Sequence, residues 1–366
     1  MQKNNKIDYL LLIITFGLLA FGLTALYSAS TVESIDNFGN TTRYIFHQLA
    51  YGVGAGLISM FILSKVDYKI WQKLLPLIVL FSLLLLAMVK IPAFSFSSGG
   101  ASRWIHVGPI FFQPSELAKL ALVMYLAAWS TKKAALKENF IFGLLPSLII
   151  VGLFSLLILS QPDFGTMSIL VGTAAIMFFA SGVKLKHFFL LAVCGLLAVA
   201  LLIKFEPYRA QRLTSFLNPT IDPQGSSYQI NQSLLAIGAG GVTGYGYGLS
   251  RQKYNYLPEP MGDSIFAITA EELGFVRVIF VLVLFISFFL RARKISLGIS
   301  DPFGRMVILG VSSWITLQAI INIGSMVGLL PLTGVPLPFF SYGSSALLIT
   351  MSAVGIVLSV SRSYKQ

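Results

Sequence analysis

Charge is scarce in this chain. Only 11% of its 366 residues are charged, whereas an ordinary soluble domain carries about 25%. Acidic residues are rarer still, with 14 in all. Apolar residues take their place and make up 56% of the chain. These proportions exclude an ordinary soluble protein and predict an integral membrane protein.

Cysteine and histidine are also rare, with 1 and 3 residues. A single cysteine excludes a disulfide within the chain, and Cys194 lies in an apolar run where we expect it to pack in the core. His47, His106 and His187 lack metal-ligand spacing, and no Ser-His-Asp set can be assembled. No aromatic–basic recognition motif is present, so the net charge of +12 does not indicate nucleic-acid binding.

About ten apolar runs are long enough to cross a ~30 Å hydrocarbon core. They predict an all-α polytopic membrane protein that forms a single domain over 1–366. The first run is too long for the apolar part of a cleavable signal peptide. The runs are 9–29, 45–64, 74–92, 115–130, 140–160, 164–183, 187–203, 264–290, 304–327 and 344–361.

Basic residues fall in every alternate loop. This bias predicts that both termini and the basic loops are cytoplasmic. The basic residues of these loops also favour contact with anionic lipid. They are Lys3, Lys6, Lys65, Lys69, Lys73, Lys132, Lys133, Lys137, Lys184, Lys186, Arg291, Arg293, Lys294, Arg305, Arg362 and Lys365.

The longest polar segment, 204–263, is then a large extracytoplasmic loop between helices 7 and 8. Apolar residues from Ile230 to Ile237 have helical spacing. Glycine-rich sequence follows over 238–248, and such a segment can approach another backbone closely. We expect this loop to be folded.

Two carboxylates, Glu259 and Asp263, lie where this loop enters the eighth run. Asp263 could be a helix N-cap, and Asp163 opens the sixth run in the same way. The alternative is a site for a phosphorylated lipid, in which cations neutralise a diphosphate and a carboxylate is a general base or metal ligand. The candidate cations of the same face are Arg43, Arg103, Arg209, Arg212, Arg251 and Lys253.

Glu116 and Lys119 lie three residues apart at the start of the fourth run, on one helix face. They either neutralise each other near the membrane or line a polar cavity, since ionisable groups inside spans are functional by default.

Glu271, Glu272 and Arg277 lie deeper in the eighth run. An unpaired arginine at mid-span costs about 2.5–3.5 kcal/mol on insertion scales, so we expect Arg277 to have a partner on another helix. A structural role is favoured for all three residues.

Several motifs together resemble one family, the SEDS proteins (shape, elongation, division and sporulation), which include the peptidoglycan polymerases RodA and FtsW. The resemblance covers about 8–362. The motifs are SAS at 28–30, SRWI at 102–105, FQPSELAK at 112–119, QPDFG at 161–165, YLPE at 256–259 with Asp263, and PLPFFSYG at 336–343.

The resemblance implies a ten-span fold and a glycosyltransferase of the bacterial cell membrane that polymerises lipid II. The donor is the glycan held by undecaprenyl diphosphate, and the acceptor is the 4-hydroxyl of an incoming lipid II. Asp263 matches the essential aspartate and would be the base, while Glu116 and Lys119 match cavity residues. Arg43, Arg103, Asp163, Glu259, Arg251 and Lys253 complete the predicted substrate-binding set.

The resemblance also implies a divalent cation, Mg²⁺ or Mn²⁺, without an organic cofactor. The implied partners are a class B penicillin-binding protein, divisome proteins and membrane lipid. Segments 208–213, 225–229 and 250–253 are more similar to FtsW, the division enzyme of the septum, than to RodA. Met261 and Gly262 depart from the His-Thr common in the family, as Ser344 departs from a second glycine.

Three functions remain open at this point. They are a lipid II polymerase of the FtsW or RodA type, a lipid II flippase, and a scaffold that activates its partner. A polymerase requires the carboxylate of Asp263, whereas a flippase should tolerate asparagine there.

Overall fold

The computed structural model describes residues 6–98, 101–107, 110–132, 139–189, 192–193, 195, 207–218, 220 and 222–364. Seven helices of this part of the chain are long and apolar enough to cross a membrane. They confirm the prediction of an α-helical polytopic membrane protein. The predicted span at 187–203 lies largely outside the described residues, so the total of ten spans stays a prediction.

The predicted runs coincide with helices wherever the chain is described. α2 and α3 are joined by a π-helical segment, Gln48–Gly54, into one long helix, and a second π-helical segment, Phe140–Leu144, precedes α6. The helices are α1 (Tyr9–Phe38), α2 (Arg43–His47), α3 (Ala55–Lys65), α4 (Lys69–Met88), α5 (Pro114–Ser130), α6 (Leu145–Leu159), α7 (Phe164–Ala180), α8 (Pro207–Leu217), α9 (Tyr228–Gly240), α10 (Ile265–Leu297), α11 (Pro302–Met326) and α12 (Ser344–Ser361).

The segment 93–114, between the third and fourth apolar runs, departs from the all-α expectation. It contains a three-stranded antiparallel sheet of β1 (Ser95–Ser98), β2 (Ala101–Val107) and β3 (Ile110–Phe112). Ile105 pairs with Phe112 and His106 with Phe111. The aromatic and β-branched residues of β2 and β3 favour strands. The length of an apolar run does not reveal this preference.

Asp8 organises one end of the helical bundle. Its carboxylate caps α1 by accepting from Leu11 N at 2.8 Å and forms an ion pair with Arg291 of α10, with Oδ2 2.5 Å from a guanidinium nitrogen. Its backbone N–H donates to Ser361 Oγ of α12 at 3.0 Å. We call this the Asp8 end, and we call the other end of α10 the Asp263 end.

The helices α11 and α12 form the centre of the bundle and are mostly buried. α12 packs against α3, and α11 packs against α5, α7 and α10. Large side chains such as Trp314 and Phe303 of α11 fill the core between them. Polar side chains on α11 are therefore buried at the middle of the protein.

α10 is broken at Gly274, whose φ of 73° and ψ of 176° are not helical. The glycine-rich turn after α9 occupies the break and satisfies the backbone groups that the break frees. Tyr245 N and Gly246 N donate to the carbonyls of Glu271 and Glu272 at 3.1 and 3.0 Å. In the opposite direction, Phe275 N and Val276 N donate to the carbonyls of Gly241 and Val242 at 2.9 and 3.3 Å.

Such close backbone approach excludes side chains at the break. A Cβ on Gly274 would lie 2.5 Å from the Thr243 carbonyl carbon, and one on Gly240 would lie 2.9 Å from Glu271 Cα. The predicted helix at Ile230 to Ile237 is confirmed as α9, and the glycines beyond it hold α9 against α10.

We expect Gly274→Ala to destabilise the protein by roughly 2–5 kcal/mol. Alanine is disfavoured at a positive φ, and its Cβ would collide with the docked turn. Thermal unfolding in detergent measures the effect. Gly238→Ala is the control, since a Cβ at Gly238 meets open space within a helix that alanine favours. Equal melting temperatures for the two variants would contradict the docked turn.

Candidate active site

Asp263 lies in the turn immediately before α10, outside the membrane-spanning helix. Its side chain is 9% exposed. Oδ1 accepts a hydrogen bond from Gln229 Nε2 of α9 at 3.1 Å, and the same amide nitrogen lies 3.1 Å from Ser264 Oγ. Ser264, not Asp263, is the N-cap residue of α10, and the side chain of Ser264 makes no capping hydrogen bond. The structure thus gives the Asp263 side chain a partner on α9 in place of a cap.

Asp163 shows the contrast, because its Oδ1 caps α7 by accepting from Thr166 N at 3.0 Å. The two aspartates that appear equivalent in the sequence therefore differ in structure. Asp163 is therefore a helix N-cap, and its predicted role in substrate binding stays untested.

The backbone of Asp263 is fixed from α11. Asn322 Nδ2 donates to the Asp263 carbonyl at 2.8 Å and to the Val335 carbonyl at 2.7 Å. Asn322 is 1% exposed. One buried amide therefore ties the start of α10 to the loop 328–343.

The same loop is held at further points beside Asp263. Ser341 Oγ donates to the Gly262 carbonyl at 2.6 Å, and Tyr342 N donates to the Met261 carbonyl at 2.8 Å. Tyr342 Oη lies 3.0 Å from His47 Nδ1. The loop 328–343, which contains the motif at 336–343, thus packs directly against the turn that carries Asp263.

A cationic side chain, that of Arg212, lies close to the Asp263 carboxylate. Arg212 of α8 donates from Nη1 to the Leu332 carbonyl at 2.8 Å. A Cβ on Gly334 would lie 3.9 Å from Asp263 Oδ2 and 4.0 Å from Arg212 Nη1, so both side chains border this glycine. Arg212 and Gln229 also line a cavity of about 260 Å³.

The pKa of Asp263 is raised to about 6, mainly by burial and to a lesser degree by the charge of Glu259. The hydrogen bond from Gln229 and the charge of Arg212 act in the opposite direction. A carboxyl group with this pKa is mostly ionised at neutral pH and is close to the range that suits a general base.

Glu116 and Lys119 form the buried pair that their spacing predicts. Lys119 Nζ lies 2.9 Å from Glu116 Oε1 and donates to Gln318 Oε1 of α11 at 2.8 Å. Gln318 also accepts from Trp314 Nε1 at 3.0 Å and donates to the Pro336 carbonyl at 2.8 Å. Glu116 Oε2 is buried without a hydrogen-bond donor in the described part of the chain.

This pair and Asp263 are connected through α11. Gln318 and Asn322 are four residues apart, so they share one face of that helix. Each holds a carbonyl of the same loop, Pro336 and Val335. The structure therefore joins the two sequence-predicted sites in one buried polar network.

The remaining predicted substrate-binding residues are not gathered in this network. Arg43 is exposed and lies over the Phe38 ring at 5.8 Å. Arg251 is exposed over the Tyr245 ring at 5.1 Å. Arg103 donates to the carbonyls of Gln161, at 3.2 Å, and Pro162. The side chain of Arg209 lies outside the described part of the chain.

Glu259 and Lys253 differ in their surroundings. Glu259 is exposed but close enough for its charge to affect Asp263. Lys253 is 4% exposed and its Nζ lies 3.0 Å from Glu272 Oε1 and 3.0 Å from Ser28 Oγ. Its role as a substrate ligand stays untested, and its charge is already paired inside the protein.

Glu271 and Glu272 have the structural role that the sequence favours. Glu271 Oε1 accepts from Arg251 N at 3.0 Å and Glu272 Oε1 accepts from Ser250 N at 3.2 Å. They fasten the segment 248–253 to α10. Arg277 Nη1 donates to the Thr243 carbonyl at 2.9 Å and to the Leu273 carbonyl of its own helix at 3.3 Å. The prediction of a partner on another helix was therefore wrong, because the turn after α9 supplies the acceptor.

Gln229, Gln318 and Asn322 are the residues that the sequence analysis missed. Gln318 and Asn322 carry a signal that could have found them, because two amides spaced by four residues within an apolar span imply a polar contact. Gln229 has no comparable sequence signal, since its contact with Asp263 depends on how α9 packs against α10.

A metal site made by the protein alone does not fit the residues described. No group of three His, Cys, Asp or Glu side chains among them could hold an ion. Mg²⁺ is commonly bound by one or two carboxylates together with substrate phosphates. The predicted divalent cation would therefore need the substrate to complete its ligands.

Comparisons with known proteins agree with one another. The family model for FtsW, RodA and SpoVE, described as cell cycle protein, matches residues 9–366. Stage V sporulation protein E of Bacillus subtilis strain 168 is 43% identical, with 98% of each chain covered. The probable peptidoglycan glycosyltransferase FtsW of Geobacter sp. strain M18 is 36% identical, with 99% of this chain and 98% of that protein covered.

Solved structures show the same likeness. A chain from a peptidoglycan synthase complex, studied for its coordination of polymerization and crosslinking, matches with a TM-score of 0.80 and 27% identity over 97% of this chain and 98% of that one. The rod shape determining protein RodA of Thermus thermophilus matches with a TM-score of 0.72 and 26% identity over 98% of each chain.

The buried pair on α5 yields a stability prediction. Lys119→Met or Glu116→Gln alone should each destabilise the protein by about 3–5 kcal/mol, because a buried charge or its partner is left unpaired. The double variant should regain most of this loss. Thermal unfolding in detergent measures the cycle, and strictly additive losses would contradict a coupled pair.

Proposed function

The chain belongs to the FtsW/RodA/SpoVE family, and we propose that it is a peptidoglycan glycosyltransferase that polymerises lipid II at the outer face of the bacterial cell membrane. The observation that carries this proposal is Asp263, a buried carboxylate outside the span whose pKa is raised to about 6. The relatives named as peptidoglycan glycosyltransferases support the reaction class.

The reaction needs one base and one stabilised leaving group. Asp263 takes the proton from the 4-hydroxyl of the incoming lipid II. The hydroxyl oxygen attacks the anomeric carbon of the growing glycan and inverts it. The bond from that carbon to the diphosphate oxygen breaks, and undecaprenyl diphosphate leaves with the electron pair.

The neighbours of Asp263 suit the other requirements. Arg212 would oppose the charge of the diphosphate. Its charge also lowers the pKa of Asp263 below the value that burial alone would give. Glu116 Oε2 is a buried acceptor with no donor among the described residues, which suits a sugar hydroxyl. A divalent cation bound together with the substrate would supply further positive charge to the leaving diphosphate.

The cellular setting is part of the proposal. The FtsW relatives support a role at the division septum, with a class B penicillin-binding protein and other divisome proteins as partners. The higher identity to a stage V sporulation protein favours sporulation as a second setting, which the sequence motifs did not distinguish. RodA, at 26% identity, makes elongation the less favoured setting.

The flippase and the scaffold are the competing functions. The network of Glu116, Lys119 and Gln318 could serve transport as well as polymerisation. Neither alternative gives a reason for a buried carboxylate of raised pKa at Asp263. This feature favours the polymerase.

Asp263→Asn should lower lipid II polymerisation by about 10²–10⁴-fold, since a general base contributes that much. The measurement is the yield of glycan strands made by the purified protein with its cognate partner. Asp36→Asn is the matched control, because Asp36 is an exposed carboxylate at the end of α1. Equal amounts of polymer from wild type and Asp263→Asn would show that Asp263 is not the base. Lipid II movement without polymer would favour the flippase.

The acidic limb of the pH–rate profile should have its midpoint near pH 6, with activity rising as Asp263 loses its proton. Gln229→Leu should move the midpoint up, because the hydrogen bond that favours the ionised carboxylate is lost. Glu259→Gln should move it down, because a nearby negative charge is removed. Shifts of the same sign in both variants would contradict Asp263 as the titrating base.

A further inference from the structure

A second cavity, of about 410 Å³, lies between α1 and α10 below the turn that fills the break. Its walls are mostly apolar and it shares no lining residue with the cavity beside Asp263. Tyr247 closes one side, with its hydroxyl donating to the Thr24 carbonyl at 2.8 Å. The lining residues are Phe21, Thr24, Ala25, Tyr247, Ile268, Thr269, Glu272, Leu273 and Arg277.

Arg277 gives this cavity one uncompensated positive charge. Its Nη1 donates to the carbonyls of Thr243 and Leu273 at 2.9 and 3.3 Å. No carboxylate in the described part of the chain forms an ion pair with it. Glu272, the other charged residue of the cavity, is already neutralised by Lys253 at 3.0 Å.

The depth of Arg277 in the membrane suits a lipid headgroup. Arg291, paired with Asp8, marks the opposite end of α10. Fourteen residues of helix separate the two arginines, roughly 21 Å at 1.5 Å per residue, in a hydrocarbon core of about 30 Å. Arg277 therefore lies about 9 Å inside the boundary at the Asp263 end, closer to that boundary than the mid-span position expected from the sequence. Its long side chain can extend toward the phosphates of that leaflet.

An acyl chain would find a continuous apolar path below the guanidinium. Phe21 of the cavity wall contacts Phe280 of α10, with ring centroids 6.1 Å apart. Phe280 is 53% exposed, and Val276 and Val283 on the same helix are also exposed. The cavity thus opens along α10 onto a surface that lipid chains cover.

We infer that this cavity binds one phospholipid of the leaflet at the Asp263 end, with the phosphodiester on Arg277 and an acyl chain along Phe21 and Phe280. A phosphodiester carries a single negative charge, which matches the single uncompensated positive charge of the cavity. A lipid diphosphate would bring more negative charge than Arg277 balances, next to the carboxylate of Glu272. The occupant also completes the hydrogen bonding of a cation that otherwise has only carbonyl partners among the described residues.

The test is native mass spectrometry of the purified, delipidated chain titrated with phosphatidylglycerol. Arg277→Gln should weaken the tightest lipid adduct by about 10- to 100-fold, because a charge-assisted phosphate contact is lost. Lys90→Gln is the control, since Lys90 is an exposed cation that follows α4 and does not line this cavity. It should bind as the wild type does.

A second variant tests the cavity by its shape and leaves the charge of Arg277 unchanged. Thr24→Trp leaves Arg277 in place but fills the mouth of the cavity, and it should lose the same adduct while the protein keeps its melting temperature. Equal binding by wild type, Arg277→Gln and Thr24→Trp would overturn the site. Displacement of phosphatidylglycerol by equimolar undecaprenyl diphosphate, abolished in Arg277→Gln, would also overturn it by reassigning the cavity to the substrate.

Discussion

The active-site region depends on two side-chain amides on one face of α11. Asn322 holds the carbonyl of Asp263 and Gln318 holds Lys119, and each also holds a carbonyl of the loop 328–343. Amides are suited to this position because each offers donors and an acceptor without adding charge. Most polar atoms of this network are hydrogen-bonded, as burial requires. Asn322 Oδ1 and Glu116 Oε2 have no hydrogen-bond partner among the described residues. α11 is therefore the rigid support to which α5, α10 and the loop are all fastened.

The break in α10 also helps to position the groups around Asp263. A continuous helix would leave no groups for the turn after α9 to bind. The free carbonyls of Glu271 and Glu272 and the free N–H groups of Phe275 and Val276 provide them. Docking of that turn places α9, and with it Gln229, beside Asp263. A backbone irregularity inside the membrane is tolerated here because another segment satisfies its polar groups.

Much of the fold and part of the candidate site could be predicted from the sequence, for definite physical reasons. Helical spans follow from long apolar runs, α9 from its apolar spacing, and the Glu116–Lys119 pair from a separation of three residues. Contacts across long separations could not be predicted. Lys253 reads as a surface cation, yet it is buried against Glu272, and Asp163 and Asp263 appear alike although only Asp163 caps its helix. The sheet in 93–114 was not predicted because its strands are short. Their signal is the presence of aromatic residues and not a long apolar run.

The central claim is that Asp263 is the base, and its ionisation can be measured directly. Difference infrared spectroscopy on protein with ¹³C-labelled aspartate, with Asp263→Asn as the blank, isolates the carboxyl band of this residue. The structure predicts that the band titrates near pH 6 and that polymerisation rises over the same range. An Asp263 that stays ionised from acidic to neutral pH, or that titrates where the rate does not change, would contradict the account.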